Sequence, residues 1–322
     1  MFDIVHETRY SYSAPVRESV MELWLQPAEL PRQRLVNFQI ATLPRARMFR
    51  YRDWLGNMVY HFDVPEPHSE LVIRSLASVS LDPGPVIPQH TSIIDWDALA
   101  RDSLRNFWWD FLQPSRFTGP TPLLHAFLDG HGLTKGPDPL SSLRDLNTAI
   151  AEAFDYVPGY TSVDSPIDHA LEARKGVCQD FAHIMIAVAR LWGIPARYVS
   201  GYLVRQMDEA LERSAPDASH AWVECLIPSI GWIGFDPTNH MLTGDRHIVV
   251  AVGRDYADVP PTRGVLQGEA ATSLEVSVRV SRGRLTWQDS DFLREVRPPR
   301  QRSADLVRTP LLAAQQQQQQ QQ

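Results

Sequence analysis

Three residues of this chain have types and surroundings suited to covalent chemistry: Cys178, His220 and Asp236. Cys178 follows Gly176 in the run RKGVCQDFAHIMIAVARLW. It opens an apolar stretch of helical period, with Phe181, Ala182, Met185, Ala189 and Trp192 on one face. A thiol at a helix start sits against the positive end of the macrodipole, where unpaired N–H groups favour the thiolate. The same amides can bind the oxyanion that forms when a thiolate attacks a carbonyl. On position alone, a small buried hydrophobe is an equal reading, since that is the usual fate of a free cysteine. The segments downstream break the tie, because a cysteine nucleophile needs a base and a group that orients the base. Residues 218–227 (ASHAWVECLI) read as a strand with His220 near its start, and residues 231–238 (GWIGFDPT) run back with Asp236 near the end. A turn centred on Pro228, with a loop of three or five residues, places His220 opposite Asp236 on one face of the hairpin; a loop of four pairs Asp236 with Ala221.

Other candidates carry less. His183 lies roughly 140° round the helix from Cys178 and should not reach the thiol. Asp180 reads as an anchor for that helix, with Arg197 as its counterion. Cys225 has the strand parity opposite to His220, which marks a core position. Trp222 shares the parity of His220 and would line the cleft. His220, His240 and His247 lack a metal-site spacing and no C-x-x-C occurs, so no metal is expected. Asp255 and Asp258 are expected to shape the cleft rim.

The elements that must position these residues divide the chain in three, and the fold class is α+β. Residues 1–82 read as an all-β, sandwich-like domain. His6, Thr8, Tyr10 and Tyr12 alternate with Val5, Glu7, Arg9 and Ser11, and further strands are predicted over 20–25, 36–41, 48–52, 58–64 and 71–81. A Pro-rich break at 82–88 leads into a core over 83–281. Its predicted helices span 96–112, 123–128, 142–154 (capped by Ser141 or Ser142), 168–175 and 178–192, with Gly193 as the C-terminal stop. Strands are predicted over 197–204, 219–227, 232–236 and 248–252, with a closing strand around 274–280. Residues 282–322 read as a disordered, Arg/Pro-rich tail ending in eight glutamines.

The chain has 322 residues, is 43% hydrophobic and carries 38 acidic against 31 basic side chains, a net charge of −7. That balance offers no electrostatic footprint for nucleic acid or an anionic membrane. Two cysteines cannot form a disulfide framework. No apolar run suggests a secretory signal or a membrane span, so a cytoplasmic protein is expected.

The runs GVCQDFAHIMIAVARLWGIPARYVSGYL (176–203) and ASHAWVECLIPSIGWIGFDPTN (218–239) resemble the core of the bacterial transglutaminase-like superfamily. Residues 247–264 resemble the segment that follows, and HETRYSYSAPV (6–16) with DWLGNMVYHF (53–62) resemble the associated N-terminal β domain. The resemblance implies a papain-like fold, with Cys178 as nucleophile, His220 as base and Asp236 as the orienting acid. It also implies an oxyanion donor from the segment before the cysteine, where Tyr156 is the candidate. The expected activity is acyl transfer on peptide, isopeptide or glutamine amide bonds through a thioester. Hydrolysis is the leading outcome, and transfer to an amine acceptor is the alternative. The expected partner is a peptide or protein substrate, with no cofactor. The rival is a non-catalytic binding module that keeps the shell.

Overall fold

A computed structural model of the chain describes residues 1–204 and 219–282. Six strands come first: β1 (Phe2–Val16), β2 (Glu18–Leu23), β3 (Gln33–Leu43), β4 (Phe49–Arg52), β5 (Met58–Val64) and β6 (His68–Leu81). Alternation makes them. On β1, Thr8, Tyr10 and Tyr12 turn inward between part-exposed Glu7, Arg9 and Ser11, and β2 buries Ser19, Met21 and Leu23 in the same way.

The chain then becomes helical, with α1 (Ile94–Ala100), α2 (Asp102–Phe107), α3 (Pro122–Gly130) and α4 (Pro139–Ala153). The single helix predicted over 96–112 is broken at Arg101, whose backbone is extended (φ −68°, ψ 134°). The break lets aromatic packing override one helical period. Trp108 and Phe111 both meet the Trp232 ring, at centroid distances of 5.2 and 5.7 Å. Helix α4 starts earlier than predicted because Asp138, not Ser141 or Ser142, caps it. The Asp138 carboxylate accepts the Ser141 N–H at 2.9 Å, and Pro139 fills the first turn, where no N–H is needed.

Two short parallel strands, β7 (Asp155–Tyr156) and β8 (Lys175–Gly176), bracket α5 (Ile167–Ala173), and α6 (Cys178–Leu191) follows at once. Every residue of α6 from Gln179 to Arg190 is buried. Gly193 ends it with φ +79°, its N–H on the Arg190 carbonyl. The helix packs on an antiparallel sheet in the order β12-β11-β10-β9-β13, formed by β9 (Ala196–Leu203), β10 (His220–Ile227), β11 (Gly231–Asp236), β12 (Met241–Leu242) and β13 (His247–Gly253).

The last two strands, β14 (Thr262–Gln267) and β15 (Thr272–Arg282), belong elsewhere. β15 pairs with β1 and β14 with β2, giving two four-stranded sheets, β15-β1-β6-β3 and β14-β2-β5-β4. Tyr10, Leu71, Ile73 and Leu274 from one sheet share a core with Met21, Leu23, Phe62 and Val64 from the other, which makes a β-sandwich. The expected core over 83–281 therefore ends too late. Among the described residues, one compact unit holds Met1–Asp82 and residues 260–282, and the other ends at Val259. The physical reason is edge protection: without β14 and β15, β1 and β2 would present open rows of N–H and C=O groups. The expected tail lies outside the described residues except for Arg282. Among the described residues, no helix is long and apolar enough to cross a membrane.

A chain cut after Val259 is expected to lose cooperative unfolding of the sandwich and to aggregate, whereas one cut after Arg282 melts like the full chain. Circular dichroism melts and size-exclusion profiles of the two truncations check this; equal behaviour would refute the pairing.

Candidate active site

The hairpin β10–β11 brings the sequence-predicted His220 and Asp236 together, but in a register other than the expected one. Ile227 pairs with Gly231 and Val223 with Phe235, so the turn centres on Ser229, not Pro228. Continued, that register sets Asp236 across from Trp222. A shift of two residues keeps the face, and diagonal neighbours on one face still meet. His220 Nε2 accordingly donates to Asp236 Oδ2 at 2.7 Å, with both side chains buried.

Asp236 collects four further donors. The Thr238 and Asn239 backbone N–H groups reach Oδ1 at 3.1 and 3.2 Å; Asn239 Nδ2 and His247 Nε2 reach Oδ2 at 2.8 and 3.2 Å. Burial opposes its charge, yet His220 and these hydrogen bonds hold the carboxyl below the usual carboxylate range. Burial likewise disfavours the His220 imidazolium, but the Asp236 charge and hydrogen bond outweigh it and raise the ring to about 10. His220 Nδ1 is buried without a hydrogen-bond partner among the described residues. It is the nitrogen left for Cys178, which favours the imidazolium.

Cys178 is half-buried at the first residue of α6. Its position is set by the two residues before it. Gly176 pairs with Tyr156 across β7–β8, and the Val157 N–H bonds the Gly176 carbonyl at 2.9 Å. A Cβ on Gly176 would stand 2.8 Å from Asp180 Oδ2, so only glycine admits the Asp180 carboxylate beneath the turn. That carboxylate accepts the Val177 N–H at 2.8 Å and the Thr161 hydroxyl, and so anchors the helix start. Burial nevertheless pushes Asp180 up to about 6.

The remaining candidates fall as follows. Arg197 pairs with Glu224 at 2.6 Å and not with Asp180, because β9 sets the two opposite each other on β10. His183 stacks on Phe117 and accepts the Tyr256 N–H at 3.2 Å; burial lowers it to about 4. Cys225 is wholly buried, which pushes its thiol up. Trp222 does not line an open cleft: it is 0% exposed. Its ring packs edge-on to His247 at 5.2 Å and lies 6.0 Å from His220, so it shields the pair. Asp255 accepts the Phe117 and Ala257 N–H groups, and Asp258 pairs with Arg254 at 2.9 Å. Tyr156 is half-buried beside Phe181, at a ring distance of 6.4 Å.

Sequence reasoning missed Asn239 and the role of His247. His220, Asp236 and His247 bring one potential ligand atom each within 4.8 Å, while His240 turns away to the Thr148 hydroxyl. Distance alone would make the trio a metal candidate. However, His247 Nδ1 accepts the Gly244 N–H at 3.3 Å, which leaves the ring proton on Nε2 and no lone pair there for a metal.

Residues 128–237, which include Cys178, His220 and Asp236, match the transglutaminase-like superfamily. Residues 2–80 match the bacterial transglutaminase-like N-terminal region. An uncharacterised protein of Mycobacterium leprae is 36% identical over 282 residues, covering 87% of this chain and 98% of the relative. The chain belongs to the transglutaminase-like superfamily. A protein-glutamine gamma-glutamyltransferase of Pseudomonas aeruginosa is 39% identical over 89 residues, covering 27% of this chain and 13% of that enzyme. Among solved structures, a Cytophaga hutchinsonii protein proposed to be a cysteine protease superposes with TM-score 0.71 at 23% identity, over 90% of this chain and 94% of that one. That likeness establishes the fold shared with this transglutaminase-like chain. Asn239 and His247 lie beyond the matched core. The available signal was only that His247 begins a strand soon after the aspartate.

Asp236→Asn removes the charge that offsets burial. The His220 ring is then expected to fall from about 10, with only Cys178 left to offset burial. Histidine Cε1–H chemical shifts followed against pH measure this, and an unchanged titration would contradict it.

Proposed function

We propose that this protein is a cysteine-nucleophile acyl-transfer enzyme acting on peptide, isopeptide or glutamine amide bonds. The observation that carries the reading is a buried His220–Asp236 pair whose free Nδ1 is left for a thiol at the start of α6. In this reading Cys178 and His220 rest as thiolate and imidazolium. The sulfur attacks the carbonyl carbon, and the charge on oxygen is taken by the amides at the start of α6 and by the Tyr156 hydroxyl. His220 gives its proton to the leaving amine as the C–N bond breaks, which leaves a thioester. Water, deprotonated by His220, then releases the acid and restores the thiolate.

Hydrolysis leads because water is always present, whereas transfer needs a channel for an amine. The match to the Pseudomonas gamma-glutamyltransferase favours the second reading, in which an amine acceptor takes the acyl group. A peptide or protein is the substrate, with neither nucleic acid, membrane nor cofactor involved. The setting is cytoplasmic, where Cys178 and Cys225 stay free thiols.

Iodoacetamide is expected to label Cys178 of the native protein while Cys225 stays unlabelled. Labelling of Cys178 at the rate of a buried thiol would sink the enzyme reading. With a glutamine-containing peptide library, wild type should accumulate a thioester adduct by mass spectrometry and Cys178→Ala none. His220→Gln should slow turnover by about 10²–10⁴-fold. The fate of the adduct with and without added amine separates hydrolysis from transfer.

A further inference from the structure

Asp236 Oδ2 receives two imidazoles, and only one of them has a part in the proposed chemistry. His220 Nε2 lies at 2.7 Å and His247 Nε2 at 3.2 Å. The hydrogen bonds of His247 fix its protonation without appeal to a titration. A backbone N–H can only donate, so the Gly244 N–H makes Nδ1 an acceptor and puts the single ring proton on Nε2, aimed at Asp236. The ring is held on its other faces: His247 is buried at the head of β13, opposite Leu203 of β9, with Trp222 edge-on.

We infer that His247 is a positioning residue which acts on His220 through Asp236: a neutral imidazole whose Nε2–H shares the carboxylate oxygen with His220 and moderates how strongly Asp236 stabilises the His220 imidazolium. Orientation of the carboxylate does not need His247. The Thr238 and Asn239 N–H groups and the Asn239 amide fix it already. What a second imidazole adds, beside the Asn239 amide on the same oxygen, is further withdrawal of charge from the Oδ2 that His220 uses. The stronger the carboxylate stabilises the imidazolium, the weaker an acid its Nδ1–H is for a leaving amine, so a neutral donor on the shared oxygen keeps His220 able to give up its Nδ1 proton. Among the described residues, the charged and titratable groups that act most strongly on the two imidazoles, besides each other, are Cys178, Asp236 and Arg246. Arg246 contacts the Met241 sulfur at 3.7 Å. Burial, first, and the nearby charges of His220 and Arg246 all keep His247 neutral against the pull of Asp236.

The inference rests on the proposed thiolate–imidazolium chemistry, and the test separates the two. Alkylation of Cys178 by iodoacetate favours a thiolate that still has an imidazolium beside it. Its rate therefore falls at high pH, at an upper limit set by His220. If wild type shows no fast alkylation, the enzyme reading fails. If it does, His247→Leu should raise the upper limit by about one pH unit, while His247→Gln, which keeps a donor, should leave it near wild type. An unchanged or lowered limit in His247→Leu, or equal shifts in both variants, would overturn the inference. A measurement on the wild-type protein needs no variant to fold: long-range ¹H–¹⁵N spectra of ¹⁵N-histidine protein should show His247 as the neutral Nε2–H tautomer at pH 7. An Nδ1–H ring or an imidazolium there would overturn it equally.

Discussion

The Asp236 carboxylate carries its charge at a position with no exposure to solvent. Leaving such a group unpaired would cost several kcal/mol, so the surrounding chain is arranged to supply it with donors. They come from three places: His220 at the head of β10, Thr238 and Asn239 in the turn after β11, and His247 at the head of β13. A hydrogen bond to a charged group contributes about 1.5–3 kcal/mol, so no single donor suffices. Ends of separate strands must therefore converge, and the five-stranded sheet is the frame that makes them do so.

The same chain contains a useful contrast. Asp180 is also buried and anchors the start of α6, but burial pushes it up to about 6 while Asp236 goes down. The difference lies in what surrounds each acid. Asp180 has the Val177 N–H, its own backbone N–H and one hydroxyl; Asp236 has two backbone N–H groups, an amide and two imidazoles, one of them positively charged. Donor count and a neighbouring cation decide which way a buried carboxylate shifts. One acid serves to hold a helix in place, and the other sustains a charge.

Much of the site was legible in the sequence because two periodicities suffice for it. The helical period after Cys178 and the Gly193 stop define α6, and strand parity put His220 and Asp236 on one face. Parity survived an error in the turn centre, since a two-residue shift changes the partner but not the face. It failed for Trp222, which lies on the expected face but is buried, because parity says nothing of depth. His247 and Asn239 were hidden for a different reason: their roles depend on a turn and on where β13 lands against β9. β14 was hidden because five of its six residues are exposed, so no alternation marks it.

The strand order has a bearing on how the molecule is made. The sandwich is begun by the first 81 residues and finished by β14 and β15, while the unit with Cys178 ends in between, at Val259. During synthesis the two sheets stay incomplete until residue 282 has left the ribosome. By then the intervening unit has already emerged whole. The part of the chain translated first is thus the part assembled last, and the unit that bears the reactive thiol matures while the edges of β1 and β2 are still waiting for their partners.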